Sequence, residues 1–374
     1  MKKIAVLGIT GSIGESAVEV IRRHSDKFQI VLASAHKNKE KLALLQNEFK
    51  FKNQVLTGEE KNGLSGKDIL SGKLQEADYD ICLNAVAGSA GLEYTAAVLN
   101  RGKDLALANK ESLVMAGHII MPLLKKSTGK MIPVDSEHSA IKQALGNETG
   151  KSVKKIIITA SGGPFKNLLL DEFKNITVEK TLQHPTWDMG AKITVDSATM
   201  MNKGLEVIEA HWLFDAPYEK IQAVMHPQSV IHSMVEFTDG SILAQMSTPT
   251  MQLPILYAFG YPERIESDLV QTSLFDLPDL TFRRLSKERY PLFYTALEAG
   301  KAGGLLPTIL NAANEAAVSL FLERKIHFTE IFKLTDKYLN KFSNISNPDL
   351  ETIIFNNTET YNKVKKDYEK MLKR

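Results

Sequence analysis

One glycine-spaced turn limits the folds open to this chain more than any other feature. Residues 3–8 read as a strand, because Ile4-Ala-Val-Leu7 is a continuous apolar run ending in glycine, the pattern of a buried parallel strand. The run closes on Gly8-Ile-Thr10-Gly11-Ser12-Ile13-Gly14, after which Ile13, Ala17, Val20 and Ile21 recur at helical spacing. Glycine permits a tight turn and a close approach of backbone to phosphate. The following helix N-terminus offers unpaired N–H groups and a positive dipole end to a pyrophosphate. The spacing is Gly-x-x-Gly-x-x-Gly rather than Gly-x-Gly-x-x-Gly, so the reading rests on the strand before it and the helix after it. A dinucleotide-binding unit is expected here.

The second strand, residues 28–33, ends in Ser34-Ala35-His36-Lys37-Asn38. No acid stands there to hold a ribose 2′-hydroxyl, whereas Lys37 with Asn38 suits a 2′-phosphate, which favours NADP over NAD. Residues 79–83 and 104–108 read as further strands, with a helix at 92–100 between them; this alternation implies βαβ units and a parallel sheet. Residues 50–72, polar and glycine-spotted, read as a loop-rich excursion. A second α/β region is expected from near Lys130, with strands at 131–135 and 155–160, a helix at 200–214 and a hairpin around Asp239-Gly240. Residues 161–190 have weak periodicity and are long for a connection, as lids are. Proline-containing residues 261–285 read as a linker, and the chain is helical from Tyr290. The basic tail, residues 363–374, reads as a solvated helix face because acids interrupt it.

With 374 residues, two or three domains are expected. A net charge of +2 gives no electrostatic case for nucleic acid or an anionic membrane. No apolar stretch is long enough to span a bilayer, and the apolar start is too short for a signal peptide. The single cysteine, Cys82, lies in an apolar run and reads as a buried thiol in a reducing compartment, hence a cytoplasmic protein.

Asp135-Ser136-Glu137 follows a predicted strand, at the end where open α/β sheets place ligands. In extended geometry Asp135 and Glu137 point to one side and Ser136 to the other. Asn202 and Glu206 are four residues apart on a predicted helix and share a face. Two or three carboxylates suit Mg²⁺ or Mn²⁺; taken singly, each also suits a cap or surface charge. The nine histidines show no zinc spacing, and His226 and His232 read as packed. Trp187 is compatible with a lid over substrate or with a core.

The chain resembles the 1-deoxy-D-xylulose 5-phosphate reductoisomerase family along its whole length. The carrying motifs are the glycine turn, Ala108-Asn109-Lys110-Glu111-Ser112, Pro133-Val-Asp135-Ser136-Glu137-His138, Ala160-Ser161-Gly-Gly-Pro-Phe165, His184-Pro-Thr-Trp187 and Ser197-Ala-Thr-Met-Met-Asn202-Lys203-Gly-Leu-Glu206. The resemblance implies an α/β architecture. A Rossmann-like NADP-binding domain would span 1–125, a catalytic domain 126–264 with a lid at 161–191, a linker 265–289 and a helical domain 290–374. It implies rearrangement of the ketose phosphate and reduction by NADPH to 2-C-methyl-D-erythritol 4-phosphate, in the non-mevalonate isoprenoid pathway. Asp135, Glu137 and Glu206 would hold Mg²⁺ or Mn²⁺, with Co²⁺ as a further option. Glu137 and Lys203 would be catalytic. Lys110, Ser136, Glu137, Ser161, His184, Ser197, Asn202, Lys203 and Glu206 would contact substrate. Thr10, Gly11, Ser12, Ile13, Lys37, Asn38, Asn109, Glu111 and Gly190 would contact NADPH. A homodimer is implied by the family alone. The chain departs from the family where glycine commonly precedes the Lys-Asn pair and His36 stands instead. The competing reading is a simple NADP-dependent dehydrogenase of a semialdehyde or hydroxy acid, which leaves the carboxylates idle.

Overall fold

The computed structural model of the chain describes residues 1–61, 63–148, 150–187 and 189–372; Asp188 of the expected lid and Lys373 and Arg374 of the tail lie outside the described residues. The chain divides into two units, one of residues 1–112, 120–143 and 250–273, the other of residues 113–119, 144–249 and 274–374.

The first unit opens with β1 (Lys2–Leu7), α1 (Ser12–Arg23), β2 (Phe28–Ala35), α2 (Lys39–Phe49) and β3 (Asn53–Leu56). A small hairpin, β4 (Glu60–Lys61) with β5 (Leu64–Ser65), leads into α3 (Gly66–Glu76). Then come β6 (Ile81–Asn84), α4 (Leu92–Asn100), β7 (Asp104–Leu107), α5 (Glu111–Lys126), β8 (Met131–Pro133) and α6 (Ser136–Leu145). The six strands β3-β2-β1-β6-β7-β8 form one parallel sheet. The order reverses at β1, so the glycine turn leaves the sheet at its topological switch point, where such sheets bind ligands.

Two expectations are corrected here. Residues 50–72 are no loop excursion: Val55 is buried in β3, Ser65 caps α3, and Leu70 is buried inside that helix. Its polar composition belongs to a sheet-edge strand and a half-exposed helix, which carry few apolar positions. Residues 131–135 do not begin a second sheet. Met131–Pro133 pairs with β7 and is the edge of the first, since Leu105, Ala106 and Leu107 offer the open ladder.

The second unit holds β9 (Val153–Ala160), α7 (Val178–Thr181), α8 (Ala191–Thr199), α9 (Met201–Leu213), β10 (Ile221–Met225), β11 (Ile231–Phe237) and β12 (Ile242–Met246). Its sheet runs β10-β9-β11-β12, parallel between β9 and β10 and antiparallel elsewhere, with the expected turn at Asp239-Gly240. α10 (Gln252–Gly260) returns to the first unit, where Phe259 meets Phe28 edge to face at 5.6 Å. α11 (Pro291–Ala302), α12 (Leu306–Leu322), α13 (Phe328–Asn340) and α14 (Leu350–Leu372) complete the second unit as the helical C-terminal region.

Each unit has its own core. In the first, Ile4, Val6, Ile30, Ile81 and Leu83 of the central strands pack with Phe259. In the second, Val195, Leu205 and Ile208 of α8 and α9 pack with Leu310, Ala313 and Phe321 of α12. Each fully buried aliphatic side chain contributes about 1.5–3 kcal/mol of transfer free energy, so these clusters hold the site-bearing helices in place. Cys82 is buried in β6, and burial pushes its thiol far above the usual range. No described helix is long and apolar enough to cross a membrane.

Candidate active site

The glycine turn is built as its sequence requires. Gly8 has φ +81°, and a Cβ there would lie 2.6 Å from the carbonyl oxygen of Ala85 at the end of β6. The Gly11 N–H donates to the Gly8 carbonyl at 3.0 Å, and α1 starts at Ser12 with no side-chain cap. The first-turn N–H groups therefore lack side-chain partners, as an anion site needs. At the end of β2, Lys37 is exposed, and Asn38 caps α2 by accepting from the Lys41 N–H at 3.1 Å. Asn38 thus has a structural task beside any cofactor contact.

Asn109 follows β7 and is buried. Its amide donates to the carbonyls of Val86 and Gly88, each at 2.8 Å, and its Oδ1 accepts from the Ser112 N–H at 3.1 Å. Ser112 in turn meets Thr95, which Asn84 also contacts at 2.9 Å. This buried network spends the Asn109 side chain on fixing the turn that presents Lys110 and Glu111. Sequence reading missed it, because the partners come from the segment after β6 and from helices α4 and α5.

Lys110 Nζ lies 2.9 Å from Asp135 Oδ2, and both side chains are largely buried. The other Asp135 oxygen accepts from the Glu137 N–H at 3.2 Å and faces His138 Nδ1 at 3.2 Å. The Ser136 hydroxyl donates to Glu137 Oε2 at 2.6 Å. The expected extended geometry of residues 135–137 is not found. The last ladder bond of this strand is Val134 N–H to the Leu107 carbonyl, and the Ser139 N–H donates to the Asp135 carbonyl at 2.8 Å. A helix therefore begins at Ser136, started by an aspartate whose side chain binds the backbone two residues on, an Asx turn. Alternation does not apply, and Ser136 is not turned away by strand parity. His138 was not assigned a role from the sequence; its signal was the i, i+3 spacing from Asp135 into a helix.

In the second unit, α8 and α9 are divided by Met200, which sits in the left-handed region at φ 60°. α9 then presents Asn202, Lys203 and Glu206 together. The Asn202 amide donates to one Glu206 oxygen, and the Lys203 ammonium pairs with the other. Lys203 and Glu206 are buried, so an ammonium and a carboxylate share a dry site, where electrostatic terms are large. Ser197 lies one turn before the break. Its neighbour Asp196 is buried between Lys192, at 2.9 Å, and the Asn314 amide of α12, at 2.8 Å.

Ser161 and His184 meet at 3.1 Å. His184 Nδ1 accepts from the N–H groups of Thr186 and Trp187, at 3.2 and 3.0 Å. The proton of neutral His184 therefore sits on Nε2, which donates to Ser161 Oγ. Burial, and then the Lys166 charge, lower its pKa to about 4, so the ring is neutral at neutral pH. Gly163, at φ +67°, lies against α8, where a Cβ would be 2.9 Å from the Ser197 carbonyl oxygen. Trp187 is half-buried, edge to face with His232 at 6.1 Å. His232 contacts Ser247 at 3.0 Å, and His226 accepts from Val230 and Ile231 while packing on Phe282. Gly190 caps α8.

A doubly wound unit with a phosphate-type turn, together with buried carboxylate–ammonium pairs and neutral polar donors, defines a nucleotide-dependent oxidoreductase acting on a small polar substrate. Family models bear this out. That of 1-deoxy-D-xylulose 5-phosphate reductoisomerase matches residues 4–117, that of its C-terminal domain residues 131–214, and a further DXP reductoisomerase C-terminal domain residues 246–363. The 1-deoxy-D-xylulose 5-phosphate reductoisomerase of Bacillus subtilis (strain 168) is 46% identical over 368 residues, covering 94% of this chain and 96% of that protein. The Zymomonas mobilis enzyme, solved in complex with NADPH, is 38% identical with a TM-score of 0.89, over 98% of this chain and 99% of that one. A DOX-P reductoisomerase solved with NADPH, fosmidomycin and magnesium has a TM-score of 0.93 at 36% identity, over the full length of both chains. The chain belongs to the 1-deoxy-D-xylulose 5-phosphate reductoisomerase family. The simple dehydrogenase reading is not favoured, because the match extends through the carboxylate-bearing and C-terminal regions.

Proposed function

We infer that this chain rearranges 1-deoxy-D-xylulose 5-phosphate and reduces the product with NADPH to 2-C-methyl-D-erythritol 4-phosphate, using a divalent cation, as a step of isoprenoid synthesis. The observation that carries the reading is the face of α9 that sets half-buried Asn202 beside buried Lys203 and Glu206, in a member of this family.

The donor chemistry fits a hard cation. Asp135, Glu137 and Glu206 offer carboxylate oxygens only, with no thiolate among them. Lys110 beside Asp135 and Lys203 beside Glu206 offset their negative charge. Asp135, Glu137 and Glu206 would hold Mg²⁺ or Mn²⁺, with Co²⁺ a further option. When bound, the cation supplies Lewis-acid polarisation and the dinucleotide supplies reducing equivalents. The chain's own residues do the rest. Glu137 holds or takes a proton at the substrate hydroxyls through Oε2, which Ser136 already orients. Lys110 and Lys203 direct ammonium groups at sugar oxygens, and Lys203 steadies developing negative charge. Ser161, neutral His184, Ser197, Asn202 and Lys203 bind the phosphate. Trp187 and the remainder of residues 161–191 exclude water as a lid. Thr10, Gly11, Ser12 and Ile13 receive the pyrophosphate. Lys37 and Asn38 face the 2′-phosphate. Asn109 acts through its backbone, because its amide is committed within the turn, and Glu111 and Gly190 complete the cofactor contacts.

A cytoplasmic homodimer fits the same reading. β12 is an edge strand on which Ile242 and Leu243 are both about half exposed, and bare edges of this kind invite a second strand. The decisive assay follows NADPH oxidation with 1-deoxy-D-xylulose 5-phosphate, with and without added Mg²⁺ or Mn²⁺. Turnover should vanish on chelation and return with the metal. Turnover that survives exhaustive chelation would overturn the proposal.

A further inference from the structure

His36 stands at the carboxyl end of β2, one residue past the last rung of the ladder that pairs Ala35 with Leu56 of β3. That register brings Thr57 beside it. The imidazole is exposed, and its Nδ1 lies 3.1 Å from Thr57 Oγ1. The Thr57 hydroxyl has its own acceptor, the Ala35 carbonyl at 3.4 Å. Thr57 Oγ1 therefore receives the Nδ1 proton of His36. Gly58 lets the ring lie over the turn, since a Cβ there would fall 2.6 Å from the His36 carbonyl oxygen and 3.2 Å from the ring.

The tautomer has a chemical consequence. In neutral His36 the proton sits on Nδ1 and Nε2 carries a lone pair, which repels a phosphate oxygen. Only the imidazolium has an N–H at Nε2 to donate. The charged groups on the elements beside the ring are Lys37 on its own segment, Lys39, Glu40 and Lys41 on α2, Glu59 before β4 and Glu60 on it, and Glu15 on α1. Of these, Lys39 lies 3.9 Å from Glu59, and Lys41 pairs with Glu15. Lys37 has no acidic partner among the ion pairs of the described residues and remains the permanent cation beside His36.

We propose that His36 is a specificity-determining residue for the 2′-phosphate of the dinucleotide, engaging it as an imidazolium through Nε2–H while Nδ1–H stays on Thr57. The inference rests on the NADPH reading above and deepens it. Lys37 supplies a preference for the phosphorylated cofactor at every pH, and His36 adds a part that is present only when it takes up a proton. Binding of NADPH then draws a proton from solution, and affinity falls as pH rises.

The test uses the full chain, binding NADPH or NADH without substrate, by fluorescence titration between pH 6.0 and 8.5. In the unsubstituted protein the Kd for NADPH should weaken by about three- to tenfold from pH 6 to pH 8, as the charge-assisted bond to the phosphate is lost with its proton. The phosphate's own second pKa, about 6, works in the opposite direction but acts alike in every variant. His36→Gln should therefore lose the histidine's share of the slope, and NADH should show no such slope in either protein. Calorimetry at pH 7 in buffers of different ionisation enthalpy should detect proton uptake with NADPH that His36→Gln abolishes. Equal pH slopes and equal proton uptake in the two proteins, with NADPH still preferred, would overturn the role of His36 alone. Equal affinity for NADPH and NADH at every pH would overturn the cofactor reading beneath it as well.

Discussion

A carboxylate buried beside an ammonium and an amide is stable only while its partners neutralise it, so Glu206 is tuned to charge. Glu206→Gln keeps the shape and removes the charge. We expect turnover to fall by more than about a hundredfold, a usual cost of disturbing a metal ligand set, with NADPH affinity unchanged by fluorescence titration; full activity would refute the ligand assignment. His184 gives a second residue-level prediction. Its pKa falls from 6.5 to about 4 on folding. Between those values the unfolded chain binds a proton that the folded chain refuses, so stability from this group is complete above about pH 6.5 and is lost as pH falls through 4. Urea midpoints measured from pH 7 to pH 4 should therefore drop more steeply in the unsubstituted protein than in His184→Gln; parallel curves would contradict this. The residue types at both positions were legible in the sequence. Their partners were not: nothing local indicates that Thr186 and Trp187 donate to His184 Nδ1, or that Asn109 spends its amide on Val86 and Gly88.

At the scale of elements, periodicity served well where one face is buried. α1, α4 and α9 lie where their apolar spacing put them, and β11 and β12 turn at Asp239-Gly240. It served poorly where few apolar positions exist, as at β3 and α3, and where a side chain starts a helix, as Asp135 does. An Asx turn and an extended strand end have the same composition, so the sequence could not separate them. Glycine gives an element-level test. Gly163 combines φ +67° with a Cβ position 2.9 Å from both Ala198 Cα and the Ser197 carbonyl oxygen. Gly163→Ala must push the 161–165 turn off α8, at a cost of about 1–3 kcal/mol from left-handed strain and overlap. That separates Ser161 from Ser197, both proposed to bind phosphate. KM for the ketose phosphate should rise by about tenfold or more while KM for NADPH holds. A variant with lower Tm and unchanged KM would mean that the turn only supports the core.

Asp135 and Glu137 follow the edge strand of the parallel sheet that also carries the glycine turn, whereas Glu206 stands on α9 of the second unit, and the two units were unequally legible. The parallel sheet announces itself through apolar runs and a glycine turn at the switch point. The second unit mixes strands with six helices of more than eight residues among its described elements, and its sheet ends in a bare edge that no motif marks. That edge bears on assembly. Successive residues of a strand face opposite sides, yet Ile242 and Leu243 are 53% and 51% exposed, so β12 is uncovered on both faces as well as along its unpaired backbone. Proteins that remain single chains protect such edges with charge, proline or a covering segment, and Ile242–Met246 carries neither charge nor proline. A second copy covering this strand removes the exposed backbone groups and the apolar side chains together. Sedimentation velocity at micromolar concentration should show a dimer, and the Ile242→Lys, Leu243→Glu double variant should shift it to monomer with the circular dichroism of the unsubstituted fold. A protein that sediments as a monomer throughout would refute the dimer, and a double variant that stays dimeric would place the interface elsewhere on the second unit.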